Sequence, residues 1–504
     1  MELKLERNTK LLKKLGEPKE LFQYFLALTE IPRVSGNVKP ISEALIDFAK
    51  KHKIEYKTDK IGNILFRKQA TKGNENSVSV CLQAHMDMVG TKEPDYEFDF
   101  SKDPLNVFEK DGWLMAKSTT LGADDGIGIA MILSAMIDKE SIHGPLEGLF
   151  TVDEETTMIG ALEIEKSPFL QSKYLINLDS DGEGKICIGS TGCLERKIEL
   201  SLNQIEIPKE YDTKIELYLH GLLGGHSGCD IHEGRANSIK WLTRILLNCM
   251  ESEFLIANFS SGHATNAIPN SGKVIVVLKS KDVENFKKKA EEMNEKIINE
   301  YKSIETKQPK LEMKTLDSNF EIKKVCDIQS GKKLLDLLLI IPHGVFRFSP
   351  DVPGLVESSR SCSICTIKES TAIIETLIRS SNSSILNFLD QELESICNLS
   401  STKYIADKSF DSPPWIPIID NNPLLDTMKS TFNELYQKQP EVYASHAGLE
   451  CAFIINSYPE MIAVSIGPET YGAHSVDENL NIQSFRETHK FLMKSLENLS
   501  KIKK

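Results

Sequence analysis

The chain has 504 residues, of which 40% are hydrophobic and 26% charged, and its formal net charge is -13. This length predicts two domains, or one domain with a large insertion, because single hydrophobic cores stop growing near about 250–300 residues. The composition is typical of a folded globular protein, and the acidic charge balance argues against a nucleic-acid partner.

The sequence contains no pattern that would direct the chain to a membrane or to an oxidising compartment. Its first 25 residues are charged and helix-like, and no run approaches the ~20 apolar residues of a membrane span. The ten cysteines are scattered without C-x-x-C spacing, which favours reduced thiols over disulfides or a structural zinc cluster. We therefore expect a cytoplasmic protein without a membrane partner.

Apolar runs alternate with helical patterns from about residue 40 to residue 190. Continuous apolar runs of this kind predict strands that are buried on both faces of a sheet. The runs 77–84, 146–152 and 174–178 predict strands, and the segments 126–137 and 158–164 predict helices. The pattern indicates the α/β class, with a mostly parallel sheet flanked by helices.

The pattern changes between residues 194 and 400, where strand-like runs lead into amphipathic helices. This order occurs twice, at 273–297 and at 371–396, which indicates a structural duplication. The buried-strand pattern returns at 459–468, and a closing helix is predicted at 481–499. We therefore predict a discontinuous α/β domain of residues 1–193 and 401–504, and an inserted α+β domain of residues 194–400.

Polar clusters follow the predicted strands at their carboxyl ends, where open α/β sheets place their sites. His85 and Asp87 are two residues apart and so point to one face of a strand. Many converging carboxylates need neutralising charge, and imidazole with carboxylate ligands favours zinc, with manganese or cobalt as alternatives. The number of candidate ligands suits two metal ions with a bridging carboxylate. The clusters are 85-HMD, 121-LGADDGIG, 153-DEE, 178-LDSDGEG and 472-GAHSVDE.

Each cluster taken alone also has a purely structural explanation. A histidine at a strand end is usually a hydrogen-bonded polar residue, and an aspartate before glycine usually belongs to a turn. The acidic pair at 124–125 would cap the following helix, and 153–155 would be a solvated turn. However, such polar clusters follow four successive predicted strands and also the returning strand, and this recurrence favours a common site.

These motifs together resemble the co-catalytic di-zinc exopeptidases, and specifically the aminoacyl-histidine dipeptidases, also called cytosol non-specific dipeptidases. The similar segments run through nearly the whole chain, and GGHSGCDIHEGRAN and HAGLEC are specific to the dipeptidase branch. The segments are 85-HMDMV, 120-TLGADDGIGIA, 150-FTVDEE, 176-INLDSDGEG, 224-GGHSGCDIHEGRAN, 264-ATNAIP, 350-PDVPGLVESS, 445-SHAGLEC, 466-IGP and 472-GAHSVDE.

The resemblance implies a set of five ligands for two zinc ions. His85 and Asp179 would bind one ion, Glu155 and His474 would bind the other, and Asp124 would bridge both. In this family the peptide bond after the bridging aspartate is typically cis.

The resemblance also implies roles for residues that border the ligands. Asp87 would orient the His85 imidazole. Glu154 would act as general base for a hydroxide that bridges the metals and attacks the peptide bond. Asp125 stands where relatives often have asparagine, which adds a charge beside the bridging residue.

The inserted domain is expected to supply the substrate contacts. By the same resemblance, His226 would donate to the oxyanion, Asn266 would contact the substrate, and Arg379 would bind its free carboxylate. A lone arginine at the end of a strand could instead be solvated at the surface. His232 and His446 are expected near the site without an assigned role.

The predicted function is therefore metal-dependent hydrolysis of unblocked dipeptides, Xaa-His types included. Two alternatives are an aminoacylase-like amide hydrolase with the same metals and a non-catalytic peptide-binding homologue. The presence of all five ligands and Glu154 argues against the non-catalytic homologue. Relatives are often homodimers, so a homodimer is an expected assembly, with the inserted domain as candidate contact surface.

Overall fold

The computed structural model describes residues 3, 5–317, 319–350, 352, 354–408 and 411–504. Two positions of the 350-PDVPGLVESS segment, 351 and 353, lie outside the described residues, as do 1, 2 and 4 of the helix-like amino-terminal segment. The chain divides into two compact units. The first unit comprises Met1–Gly189, Trp415–Ala444 and Leu449–Lys504, and the second comprises Ser190–Pro414 and Ser445–Gly448.

The helices and strands are numbered in chain order. None of the helices in the described ranges combines the length and the apolar composition needed to cross a membrane. The α-helices are α1 Thr9–Leu15, α2 Lys19–Leu28, α3 Lys39–His52, α4 Ala123–Ile137, α5 Glu154–Thr157, α6 Ile159–Leu162, α7 Ser238–Asn248, α8 Val283–Tyr301, α9 Ile328–Ile340, α10 Ser383–Leu399, α11 Pro423–Tyr436, α12 Cys451–Ser457 and α13 Ile482–Leu499. The strands are β1 Glu55–Thr58, β2 Ile64–Lys68, β3 Val80–His85, β4 Val107–Lys110, β5 Trp113–Ala116, β6 Leu146–Thr151, β7 Tyr174–Asn177, β8 Lys185–Ser190, β9 Gly192–Ser201, β10 Gln204–Ile205, β11 Thr213–His220, β12 Gly225–His226, β13 Leu255–Ser261, β14 Ala267–Ile268, β15 Gly272–Leu278, β16 Lys310–Thr315, β17 Val325–Cys326, β18 Gly344–Phe348, β19 Val356–Lys368, β20 Thr371–Ser380, β21 Lys403–Ala406, β22 Glu441–Ser445, β23 Ile462–Ser465, β24 Thr470–Tyr471 and β25 Asn479–Asn481.

The main sheet of the first unit has the strand order β1-β2-β6-β3-β7-β23-β8-β22. Its four central strands, β6, β3, β7 and β23, pair in parallel. The pairs β1–β2, β2–β6 and β23–β8 are antiparallel, so the sheet is mixed around a parallel centre. All six residues of β3 are buried, because a parallel centre is covered on both faces. The predicted α/β class is confirmed.

The carboxyl-terminal helix α13 explains why the first unit is discontinuous in sequence. The side chain of Asn481 accepts a hydrogen bond from the Ser484 N–H at 2.9 Å and so caps the start of the helix. The buried face of α13 carries Phe485, whose ring meets those of Phe22 and Phe25 edge-on at centroid distances of 5.8 Å. The last helix therefore packs against α2 and completes the core of the first unit.

A four-stranded sheet of order β24-β25-β5-β4 also belongs to the first unit. The sequence analysis does not predict these strands, because segments of two to four residues are too short to show a periodic pattern. The sheet matters for the site because His474 lies in the turn between β24 and β25, with a left-handed φ of 65°.

The second unit contains a sheet of order β16-β11-β15-β13-β19-β20-β9-β21, with β18 paired to β19. The order is symmetric about the β13–β19 contact, since β15 and β20 occupy equivalent positions on either side of it. The helix α8 follows β15 and the helix α10 follows β20. This is the arrangement expected of the duplication that the sequence suggests.

The unit boundaries differ from the predicted ones at residues 193/194 and 400/401. The second unit extends to residue 414 because β21 pairs with β9, which lies in the sheet of that unit. Beyond β21, Ser412 exchanges two backbone hydrogen bonds with Cys193, at 2.9 and 3.1 Å. Residues 445–448, which carry His446, also belong to the second unit.

Candidate functional site

The ends of the central parallel strands bring three predicted ligand segments to one edge of the sheet. The strand β3 ends at His85, β6 leads into α5 with Glu154 and Glu155, and β7 ends two residues before Asp179. Because β3 pairs in parallel with both β6 and β7, these ends are neighbours.

The buried imidazole of His85 faces two carboxylates. Its Nε2 atom lies 2.8 Å from Oδ1 of Asp124 and 3.6 Å from Oδ1 of Asp179. His85 is fully buried. The three side chains therefore form a group whose ligand atoms lie within 4.8 Å of one another.

A second group forms around His474 and shares Asp124 with the first. The Nε2 atom of His474 lies 2.8 Å from Oε2 of Glu155 and 3.2 Å from Oδ2 of Asp124. The ligand atoms of these three residues also lie within 4.8 Å of one another. The two oxygens of Asp124 thus face different histidines, as a carboxylate that bridges two metal ions would.

The convergence of carboxylates produces large pKa shifts at this site. Burial raises the pKa of Asp179 well above its usual range, and the charge of Asp124 raises it further. Burial would also raise the pKa of Asp124, but hydrogen bonds with His474 and His85 outweigh it and lower that pKa. The hydrogen bonds to Asp124 and then Glu155 raise the pKa of His474 to about 11. So many neighbouring carboxylates require positive charge to neutralise them. The imidazole and carboxylate atoms of this site are the ligands that divalent zinc, manganese or cobalt accepts.

Glu154 lies close to two of the predicted ligands. One of its carboxylate oxygens comes within 4.8 Å of ligand atoms of His85 and Glu155. Burial raises its pKa well above the usual glutamate range, partly offset by the attraction of His85. The structure thus brings Glu154 to the same place as the five predicted ligands.

Asp87 connects His85 to the two glutamates. Its Oδ1 atom lies 3.4 Å from Nδ1 of His85 and accepts the Glu154 N–H at 2.9 Å. Its Oδ2 atom accepts the Glu155 N–H at 3.3 Å and the Ser35 hydroxyl at 2.8 Å. Asp87 is fully buried, so one carboxylate positions both the imidazole and the turn that carries Glu154.

The Asp124–Asp125 peptide bond is cis, as the resemblance implies. The Asp125 side chain is fully buried and accepts the His85 N–H at 3.2 Å and the Gly128 N–H at 2.9 Å. Burial raises its pKa well above the usual aspartate range, and the charge of Asp179 raises it further. Asp125 therefore ties the end of β3 to the start of α4.

Glu478 and Arg33 support the site, and the sequence analysis does not identify them. The Glu478 carboxylate accepts four backbone N–H groups of residues 121–124, at 2.7 to 3.3 Å. Arg33 donates to the carbonyl oxygens of Asp87, at 2.7 Å, and Gly122. Glu478 lies within the polar cluster that contains His474, which is a sequence signal, whereas Arg33 has no such signal.

Glu450 is a further buried carboxylate in the first unit. It precedes α12 in the 445-SHAGLEC segment, and none of it is exposed to solvent. Its Oε2 atom accepts hydrogen bonds from Gln83 at 2.6 Å and Thr151 at 2.7 Å. Burial raises the pKa of Glu450 to about 7. The sequence analysis assigns no role to this residue.

In the second unit, His226 ends β12 of the two-stranded ladder β12–β14, and Asn266 directly precedes β14. The Nδ1 atom of His226 accepts the N–H groups of Gly228 and Cys229, both at 3.2 Å. An accepting Nδ1 places the imidazole hydrogen on Nε2 in the neutral form. The carbonyl oxygen of Asn266 accepts the Ser227 N–H at 2.7 Å, so Asn266 lies opposite the His226 turn.

Arg379 is only 5% exposed, so the alternative of a solvated surface arginine is wrong. Its Nη1 atom donates to the Cys193 sulfur at 2.9 Å, and its Nε atom has no hydrogen-bond partner. Among the described residues no carboxylate lies within ion-pair distance of this guanidinium. A buried cation without a carboxylate partner is costly, so the site fits an anionic group of a ligand.

His446 belongs to the same region of the second unit as Arg379. Its Nε2 atom lies 2.7 Å from the hydroxyl of Ser359, which is the register partner of Arg379 in the β19–β20 pair. Burial, together with the charges of Arg379, His232 and His226, lowers the pKa of His446 to about 3. His446 is therefore neutral at physiological pH, and these four side chains lie in one electrostatic neighbourhood.

Comparison with known proteins supports the predicted resemblance. A family model for peptidase family M20/M25/M40 matches residues 81–498. A cytosol non-specific dipeptidase of Escherichia coli strain K12 is 36% identical over 468 residues, which cover 93% of this chain and 95% of the relative.

Solved structures agree with this result. The crystal structure of an aminoacylhistidine dipeptidase from Vibrio alginolyticus superposes with a TM-score of 0.83 at 32% identity, covering 95% of this chain and 96% of that one. A tripeptidase from Staphylococcus aureus shares the fold alone, with a TM-score of 0.54 at 15% identity, covering 96% of this chain and 98% of that one. The resemblance and the peptidase class are confirmed: the chain belongs to peptidase family M20/M25/M40.

Proposed function

We propose that this peptidase hydrolyses unblocked dipeptides, Xaa-His types included, with two divalent metal ions. The observation that carries the proposal is the arrangement around Asp124, whose two oxygens face His85 and His474 separately. The substrate class rests on the relatives that are named as cytosol non-specific dipeptidase and aminoacylhistidine dipeptidase. Cytoplasmic localisation and a homodimer stay predictions.

The two groups around Asp124 define the proposed ligands. His85, Asp124 and Asp179 would hold one ion, and Asp124, Glu155 and His474 would hold the other. Zinc fits this mixed imidazole and carboxylate set, with manganese or cobalt as alternatives. When bound, such ions polarise the peptide carbonyl and make attacking water more acidic.

Glu154 is the proposed general base, and Asp87 is its positioning partner. The Asp87 carboxylate holds the Glu154 backbone N–H at 2.9 Å, which fixes the turn while the Glu154 side chain stays beside the ligands. The raised pKa of Glu154 suits a group that takes a proton from water and returns it to the leaving amine. Through its contact with His85, Asp87 also orients that ligand.

The residues of the second unit are proposed to recognise the substrate. His226, with its hydrogen on Nε2, would donate to the developing oxyanion, and Asn266 lies opposite the same turn. Arg379 would bind the terminal carboxylate of the dipeptide, because this carboxylate would supply the missing counterion. The second unit would then act as the substrate-binding lid of a discontinuous catalytic domain.

The substrate class is tested by amino-acid release from Ala-His, β-alanyl-histidine, Leu-Gly, Ala-Ala-Ala and N-acetyl-methionine by the zinc-loaded full chain. We expect release from free dipeptides and none from the tripeptide or the acetylated amino acid. Release from N-acetyl-methionine alone would establish the aminoacylase alternative. Dipeptide binding without release from any substrate would establish a non-catalytic homologue.

Replacement of Arg379 tests recognition of the substrate carboxylate. We expect R379M to lower kcat/KM for Ala-His by about 100-fold or more, because a charge-assisted contact is lost. The preference for Ala-His over Ala-His amide should disappear in the same variant. The matched control is R244M, which removes an arginine paired with Glu300 at the surface of the same unit. A retained preference in R379M would contradict the assignment.

A further inference from the structure

A row of buried polar side chains crosses the central strands of the first unit's main sheet. Gln83 lies on β3, Asn177 on β7 and Ser465 on β23, and Glu450 meets the row at the Gln83 end. All four residues are fully buried. Gln83 and Asn177 each precede a proposed metal ligand by two residues, so the row runs just before the ends of the strands that carry His85 and Asp179.

The hydrogen bonds of this row have a defined direction. Glu450 Oε2 accepts from the Gln83 amide nitrogen at 2.6 Å, and Gln83 Oε1 accepts from the Asn177 amide nitrogen at 2.6 Å. Asn177 Oδ1 in turn accepts from the Ser465 hydroxyl and from the Asp179 N–H at 3.3 Å. Each amide therefore donates towards Glu450 and accepts on its other side.

The carboxylate at one end determines the orientation of the two amides. An ionised carboxylate only accepts hydrogen bonds, so Gln83 must direct its amide nitrogen to Glu450 and its oxygen to Asn177. Asn177 must then direct its own oxygen to the backbone of Asp179. A proton on Oε1 of Glu450 would leave Oε2 an acceptor, so the direction is the same in both protonation states.

We propose that Glu450 is a positioning residue for metal binding, which acts through Gln83 and Asn177 on Asp179. By orienting the row, Glu450 directs the Asn177 oxygen to the Asp179 N–H and so holds this carboxylate in place for the ion it shares with His85. The inference rests on the proposed ligand role of Asp179.

A glutamine at position 450 would remove this directionality. Its amide nitrogen could face Gln83, which allows Gln83 and then Asn177 to reverse. Asn177 would then direct its amide nitrogen at the Asp179 N–H, and two donors would oppose each other in a buried site. Relief of that contact requires Asp179 to move away from its position beside His85.

The test compares cobalt binding by the full chain in E450Q and in the double variant Q83E with E450Q. Binding is followed by visible absorption and calorimetry, together with kcat and KM for Ala-His. In E450Q we expect one of two cobalt ions to bind about 10- to 100-fold more weakly, with a fall in kcat and little change in KM. The double variant should regain binding, because a carboxylate at position 83 accepts both from the amide introduced at position 450 and from Asn177.

The matched control is E147Q, which removes another buried carboxylate of the same sheet. Glu147 accepts the N–H groups of Gln171 and Ser172, both at 2.9 Å, and pairs with Arg67. We expect E147Q to bind cobalt as the unchanged protein does. Unaltered binding in E450Q, or no recovery in a folded double variant, would overturn the inference.

Two further variants keep the test decisive if E450Q does not fold. N177L removes the oxygen that accepts the Asp179 N–H, whereas S465A keeps Asn177 and removes only the second donor to that oxygen, so we expect weakened cobalt binding only in N177L. Equal cobalt binding by the two variants would overturn the inference. D179N serves as the reference for the ligand assignment: if it binds two cobalt ions normally, the proposed ligand set fails independently of the result for Glu450.

Discussion

The E154Q variant is expected to lose about 10²- to 10⁴-fold in kcat while it retains its metal ions. Glutamine preserves the size of the side chain but cannot accept the proton of attacking water. The Glu154 backbone N–H remains bound to Asp87, so the turn that carries the ligand Glu155 should keep its position.

The measurement is the steady-state rate of Ala-His hydrolysis, with the metal content determined on the same samples. The control is E163Q, because Glu163 is an exposed carboxylate in the segment that follows the same turn. We expect E163Q to match the unchanged protein. An E154Q variant that holds both metals and retains its full rate would exclude Glu154 as the base.

Replacement of Asp124 by alanine is expected to weaken the binding of both metal ions. Asp124 is the one residue shared by the two groups, with one oxygen 2.8 Å from His85 Nε2 and the other 3.2 Å from His474 Nε2. The loss of affinity should exceed the roughly 10- to 100-fold that removal of an outer hydrogen-bonding partner costs. In contrast, E155A and D179A should each weaken mainly one ion.

Zinc calorimetry of chelator-treated protein distinguishes these outcomes. The control is D181N, because Asp181 belongs to the same 178-LDSDGEG cluster but accepts the Thr470 hydroxyl and is part of neither ligand group. D181N should bind two ions. Loss of only one ion in D124A would contradict a bridging role and would favour two separate sites.

Much of the site could be predicted because its residues directly follow strands, and the apolar runs in the sequence show where these strands end. His85 ends an apolar run, Glu154 and Glu155 follow the next strand, and Asp179 follows the third. Parallel pairing then brings the strand ends together, as the α/β pattern implies. Asp124 and His474 complete the set from the motifs of the resemblance.

The supporting residues could not be predicted in the same way. Glu478 binds backbone N–H groups that are more than 350 positions away in sequence, at Leu121 and Gly122. Glu450 contacts Gln83 across a separation of 367 positions. Such contacts carry no local periodicity, since a buried carboxylate is placed by the groups that the fold brings to it.

The sequence by itself determined the α/β class, the succession of buried strands along the chain and the segments that carry the ligands. These features follow from the periodicity of hydrophobic residues and from local motifs. Only the tertiary structure decided which oxygen of Asp124 faces which histidine and that the second unit extends to residue 414. It also decided that Arg379 is buried without a carboxylate partner among the described residues. The physical reason is that burial and hydrogen-bond partners depend on contacts between segments distant in sequence, which no local pattern encodes.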